Sequence, residues 1–128
     1  MKVVLDAWAL VAFFDDDQFA APRVEALLEE GGGAVCSINL GEVLYRQTRV
    51  ANDARTAREG VTALRRELEV VDPDWPLVED AAAIKARGGL SFPDAFCVAT
   101  AMRLDAPLWT GDPEIVDLDT DVEVVDLR

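Results

Sequence analysis

The chain has 128 residues, 51% of them hydrophobic, enough for one domain over 1–128 with an ordinary buried core and no need of covalent staples. Its 25 acids against 12 bases give a net charge of −13, and it contains no histidine. On its face the charge argues against a nucleic-acid binder, and the missing histidine excludes His-based acid–base catalysis, Ser-His-Asp and Cys-His nucleophiles and His-ligated zinc.

Residues 2–5, KVVL, form a β-branched run ending at Asp6, the pattern of a buried parallel strand. A first helix is predicted over 7–14 and a second over 19–30, joined by the acidic run 15–17 and stopped by three glycines at 31–33. AVC at 34–36 reads as a second strand, and Ser37 as the N-cap of a helix with Leu40, Val43 and Leu44 on its apolar face. A helix over 53–66 leads into LEVV at 68–71, the third strand. Asp74 caps a helix running past Trp75 and Pro76 to Arg87, ended by Gly88 and Gly89. Ser91 and Asp94 fit the S-x-x-[DE] capping pattern for a helix through Leu104. Residues 107–109 are the fourth strand and VEVV at 122–125 the fifth.

Strands alternating with helices predict an α/β domain with a mostly parallel five-stranded sheet flanked by helices. Ligands of such sheets bind outside the carboxyl ends of the strands, where strand order reverses. Cys36 and Cys97 lie in apolar runs and read as core residues, without the spacing of a metal site or a disulfide framework. No segment approaches the roughly 20 apolar residues of a membrane span, and the N-terminus lacks a leader pattern, so a soluble cytoplasmic protein is expected. Residues 43–66 hold six arginines against two acids, a basic stretch on an acidic body. Taken alone it reads as a solvated helical face.

Four carboxylates fall where the sheet would gather them. Asp6 follows the first strand and Asp112 lies just past the fourth, both at the carboxyl edge. Glu42 sits early in a helix that opens toward that edge, and Asp94 in the first turn of its own helix. Each has an ordinary explanation: Asp6 as a helix cap, Asp94 as half of a capping box, Asp112 as a turn former, Glu42 as a good helix former. Together in one cleft they would repel unless a cation sat among them, and hard oxygen ligands favour Mg²⁺, with Mn²⁺ as substitute. DLDTD at 117–121 lacks the glycine and terminal glutamate of a calcium loop and reads as a solvated loop. No phosphate-binding glycine motif is present.

The stretches VVLDAWAL, SINLGEVLYR, LSFPDAFCVATA and LWTGDPE, in this order over nearly the whole chain, resemble the PIN-domain family, and within it the VapC-type toxin ribonucleases of type II toxin–antitoxin systems. The resemblance implies a PIN-like fold with a Mg²⁺-dependent active site of Asp6, Glu42, Asp94 and Asp112. Asp6 and Asp94 match direct metal ligands, Asp112 is ranked as a helper, Thr110 matches a supporting hydroxyl, and Glu114 is an additional outer acid. It further implies hydrolysis of RNA phosphodiester bonds by an activated water, a homodimer, and a small cognate antitoxin that occludes the site. Arg46 and Arg49 are then candidates for guiding the RNA backbone. One departure is that Ala7 and Trp8 follow Asp6, where small hydroxyl-bearing residues are common; Trp8 reads as a core or interface residue.

Three other readings compete. A catalytically silent PIN-like RNA-binding or assembly module is disfavoured by the presence of all four acids. A receiver-like phosphoacceptor domain needs a lysine at the carboxyl edge, which neither Lys2 nor Lys85 supplies. A metal-dependent DNA nuclease differs only in substrate.

Overall fold

Val3–Leu5 (β1), the first apolar run, becomes the middle strand of a five-stranded parallel sheet in the computed structural model, which describes residues 1–128. The other strands are Gly33–Cys36 (β2), Glu69–Val71 (β3), Leu108–Thr110 (β4) and Val124–Asp126 (β5), arranged β3-β2-β1-β4-β5. Every neighbouring pair is parallel. The helices are Ala7–Phe14 (α1), Ala20–Glu29 (α2), Ser37–Ala51 (α3), Ala54–Arg65 (α4), Trp75–Ala86 (α5), Phe92–Leu104 (α6) and Pro113–Val116 (α7).

Side chains alternate across a strand, and β1 uses both directions. Val4 faces a cluster built with Leu77, Ala81 and Ile84 of α5 and Phe96 and Val98 of α6. Val3 and Leu5 face the opposite cluster, with Leu10 of α1, Val24 of α2, Val43 of α3 and Val61 of α4. Both faces of β1 and β2 are therefore covered, which is why these strands read as continuous apolar runs rather than alternating ones. Cys36 and Cys97 are free and buried. No helix is long and apolar enough to cross a membrane.

Strand order fixes where a ligand meets the sheet. From β1 the chain steps outward to β2 and β3, then returns to the far side of β1 as β4. The reversal lies between β1 and β4, so the crevice opens at Leu5–Asp6 and at Thr110, the carboxyl ends of those two strands.

Several boundaries differ from the sequence expectation, each for a local reason. Ser37 is the first helical residue of α3 and not its cap; Cys36 occupies the cap position and contributes no side-chain hydrogen bond. β4 extends to Thr110 and β5 starts at Val124, so both lie further along the chain than expected. Asp112 does not stand in a simple turn: it caps the short α7, with Pro113 at its start. The capping roles of Asp74 and Ser91 are as expected, and Gly88 and Gly89 adopt φ of +84° and +89°, the left-handed conformation that ends α5.

Candidate active site

The central strand pair ends in a hydrogen-bonded chain of side chains. Asp6, only 3% exposed, caps α1 by accepting from the Ala9 N–H at 2.9 Å, and its second oxygen accepts from the Thr110 hydroxyl. The Thr110 oxygen in turn accepts from the Asp112 N–H at 2.9 Å, and Asp112 caps α7 by accepting from the Glu114 N–H at 3.0 Å. One hydroxyl thus holds the ends of β1 and β4 in register and aims the chain that carries Asp112.

Two further acids arrive from helices. Ser91 caps α6 by accepting from the Asp94 N–H at 3.2 Å, but the Ser91 backbone N–H does not donate to the Asp94 carboxylate, so only half of a capping box forms. The half-buried Asp94 carboxylate lines the cleft beside the other three acids. Glu42 is held by the fully buried Asn39, whose amide donates to Glu42 Oε1 at 3.0 Å and to the Pro93 carbonyl at 2.9 Å. Asn39 therefore ties α3 to the residue preceding Asp94. Its role is not visible in the sequence, because the partner carbonyl lies 54 positions away.

Asp6, Glu42, Asp94 and Asp112 line a single cleft of about 280 Å³ together with Trp8, Tyr45 and Arg46. A larger concavity of about 450 Å³, beside Ile84, Met102 and the 118–121 loop, contains none of the four acids. Trp8 lines the cleft next to Gly111. Its ring lies so close to Gly111 that a Cβ there would approach ring carbons to 2.4 Å, so the glycine before Asp112 is a requirement of close approach. Arg46 stands at the rim with its guanidinium committed to Asp15, through two bonds of 2.8 Å. Arg49 lies farther along α3, exposed and without an ion pair.

The electrostatics follow from this crowding. Burial, reinforced by the charges of Asp94 and Asp112, pushes the Asp6 carboxyl up to about 7 against the opposing hydrogen bonds from Thr110 and Ala9. Asp94 is pushed up to about 6 by burial and then by the Asp112 charge. Burial also raises Glu42, with the Asn39 hydrogen bond working the other way. The N-termini of α1, α6 and α7 all meet this cleft and offset part of the negative charge.

The donor set suits a hard divalent cation. Carboxylate oxygens of Asp94, Asp112 and Glu114 lie within 4.8 Å of one another, all are oxygen donors, and none of the three takes part in a salt bridge. Asp6 and Glu42 lie outside that trio but line the same cleft, Asp6 from the buried side. Each Asp6 oxygen has accepted one hydrogen bond and keeps a further lone pair, so the bonds from Ala9 and Thr110 orient the carboxylate without exhausting it.

The family model for the PIN domain matches residues 3–121. No curated protein matches the sequence. Among solved structures, VapBC from Salmonella typhimurium, bound to DNA, is similar at TM-score 0.79 and 18% identity, over 100% of this chain and 99% of that one. VapBC2 from Rickettsia felis, bound to a DNA fragment from its promoter, is similar at TM-score 0.75 and 16% identity over 100% of both chains. VapC20 from Mycobacterium tuberculosis, a Sarcin-Ricin loop cleaving toxin, is similar at TM-score 0.73 and 17% identity over 95% of this chain and 99% of that one. At these identities the likeness is one of fold, and it extends over essentially the full chain.

Two outcomes follow from the geometry. A carboxyl that binds its proton more tightly in the folded state stabilises the fold while that proton is bound; the contribution of Asp6 is complete below its ordinary 3.8 and is lost as pH rises through about 7. Metal-free protein is expected to lose on the order of 3 kcal/mol from this group between pH 5 and pH 8 in urea unfolding. Asp6→Asn is expected to flatten that decline, and an equal slope in the variant would assign it to general charge repulsion instead. Gly111→Ala is expected to cost about 1–3 kcal/mol by overpacking against Trp8, and Trp8→Ala in the same chain to recover part of that loss.

Proposed function

The chain belongs to the PIN-domain family, and from that premise we propose that it is a Mg²⁺-dependent endoribonuclease, the toxin of a toxin–antitoxin pair. The observation that carries this reading is the convergence of Asp6, Glu42, Asp94 and Asp112 on one cleft at the strand-order reversal. Asp94 and Asp112, with Asp6 behind them and Glu42 and Glu114 at the sides, would hold Mg²⁺, or Mn²⁺ in its place. When bound, the cation offsets phosphate charge and lowers the pKa of a coordinated water.

The residues of the chain divide the remaining work. Asp6, buried and fixed by Thr110 and Ala9, sets the cleft's geometry and keeps a lone pair on each oxygen for the cation. Asp94 and Glu42 are half-buried, reach solvent, and position or deprotonate the attacking water at a carboxylate oxygen. Water is the nucleophile and the 3′-oxygen is the leaving group, so the P–O3′ bond breaks and the products carry a 5′-phosphate and a 3′-hydroxyl. A 2′,3′-cyclic phosphate would require attack by the RNA's own 2′-hydroxyl and would sink the mechanism.

An RNA substrate is supported by the described activity of the VapC20 relative, and an antitoxin partner by the toxin–antitoxin complexes among the structural relatives. The antitoxin would occlude the cleft with a basic side chain among the carboxylates. Phe19 and Val50, both large and exposed, supply apolar surface for it or for a homodimer contact on the helices flanking the site.

The deciding experiment compares wild type and Asp94→Asn on an RNA pool and on DNA, with Mg²⁺ and with EDTA, and maps the ends produced. Wild type is expected to cut RNA only with the metal, and the variant to be slower by about 100-fold or more. Equal cleavage by the two proteins removes Asp94 from the mechanism, and cleavage of DNA alone replaces the substrate. Neutralising Arg46 and Arg49 together is expected to weaken RNA binding across all sequences and to flatten its salt dependence by about 0.7 in log–log slope per lost phosphate contact. An unchanged slope returns both arginines to a solvated face.

A further inference from the structure

The rim of the acidic cleft carries one large side chain that the fold does not use. Tyr45 lies on α3 nearly one turn beyond Glu42 and lines the same cleft as the four acids, yet it is 57% exposed. Its hydroxyl has no hydrogen-bond partner in the protein, and its ring packs against no other aromatic ring. The cleft's other aromatic, Trp8, is already committed to covering Gly111, and its nearest cation, Arg46, to Asp15. Four residues beyond Tyr45, Arg49 stays exposed and unpaired in a chain with 25 acids.

Glu42, Tyr45 and Arg49 stand at i, i+3 and i+7, which places them on one face of α3 with Arg49 about 10 Å along the axis from Glu42. From the cleft outward that face reads carboxylate, aromatic ring, free guanidinium. We infer that Tyr45 is a base-stacking subsite: the nucleobase flanking the cleaved phosphodiester lies against its ring, and the backbone beyond it runs toward Arg49. The inference rests on the nuclease reading and names how that site grips its substrate.

Three physical reasons favour a nucleotide as occupant. Every base offers a π-face, so stacking tolerates any sequence. Stacking also carries no charge, so the acids that repel phosphate do not cancel it. The unpaired Arg49 complements a phosphate at the next position and nothing else in the fold. The RNA must be single-stranded there, because a base inside a duplex has no free face.

The test uses the full chain and a single-stranded RNA oligomer spanning a mapped cut position, with a second oligomer abasic at the flanking nucleotide. Affinities are read in EDTA by fluorescence anisotropy, and KM and kcat with Mg²⁺. Tyr45→Ala is expected to weaken affinity and raise KM for the parent oligomer about tenfold with kcat little changed. Tyr45→Phe is expected to match wild type, and the abasic oligomer to bind wild type and Tyr45→Ala alike. Equal affinity of wild type and Tyr45→Ala for the parent oligomer overturns the proposal, as does a wild type that binds no RNA. If Tyr45→Ala instead loses self-association in sedimentation while keeping its RNA affinity, Tyr45 is a protein-contact residue and the proposal falls. Binding that depends on Tyr45 without any cleavage sinks the nuclease reading and leaves the subsite standing.

Discussion

The hydrogen bond from the Thr110 hydroxyl to the Asp6 carboxylate is the interaction on which the rest of the site depends. A carboxylate taken out of water is costly, and one that is 3% exposed persists only with its oxygens satisfied. Ala9 satisfies one and Thr110 the other, from a helix N-terminus and from the neighbouring strand. Because Thr110 ends β4 while Asp6 follows β1, the bond also locks together the two strands between which the sheet's order reverses. The same hydroxyl receives the Asp112 N–H, so the position of the fourth acid is inherited from the burial of the first.

Capping and site chemistry use the same geometry here. A cap residue sits where a strand hands over to a helix at the sheet's carboxyl edge, and the helix N-terminus behind it favours negative charge. Asp6 and Asp112 are caps, and Asp94 stands in a first turn, so the backbone N–H groups that tolerate each acid are also what brings the acids together. Burial, and after it the repulsion among them, keeps the carboxyls of Asp6 and Asp94 raised. A cation relieves that repulsion most effectively because Arg46, the one basic side chain lining the cleft, is held away by Asp15.

How much of this was legible in the sequence depends on the range of each interaction. The strand–helix alternation, the two-sided burial of the central strands and the edge positions of all four acids follow from local patterns. The PIN-like architecture accordingly agrees with the expectation. The short α7 was unreadable because four residues carry no periodicity, and Asp112 between Gly111 and Pro113 signals a turn equally well. Ser37 misled because hydroxyl residues signal caps only statistically, and here Cys36 takes the extended cap conformation. Asn39 to Pro93, Arg46 to Asp15 and Trp8 to Gly111 all cross long stretches of chain, and no spacing rule announces them.

Burial separates the acids into two kinds of work. Asp6 is fixed from two sides and shielded, so its contribution is geometric precision; the half-buried Asp94 and Asp112 and the exposed Glu114 keep oxygens open to solvent and to one another. Direct ligation by Asp6 and Asp94, as the family resemblance implies, would use the lone pairs Asp6 retains, and Asp112 with Glu114 would complete the oxygen set from the solvent side. A site arranged in this way is rigid where it is buried and open where a substrate must enter. On an acidic protein the entry side needs attraction of its own, and α3 supplies it by continuing past Glu42 to Tyr45 and the unpaired Arg49. The helix that anchors an acid in the cleft therefore also extends the site outward along its exposed face.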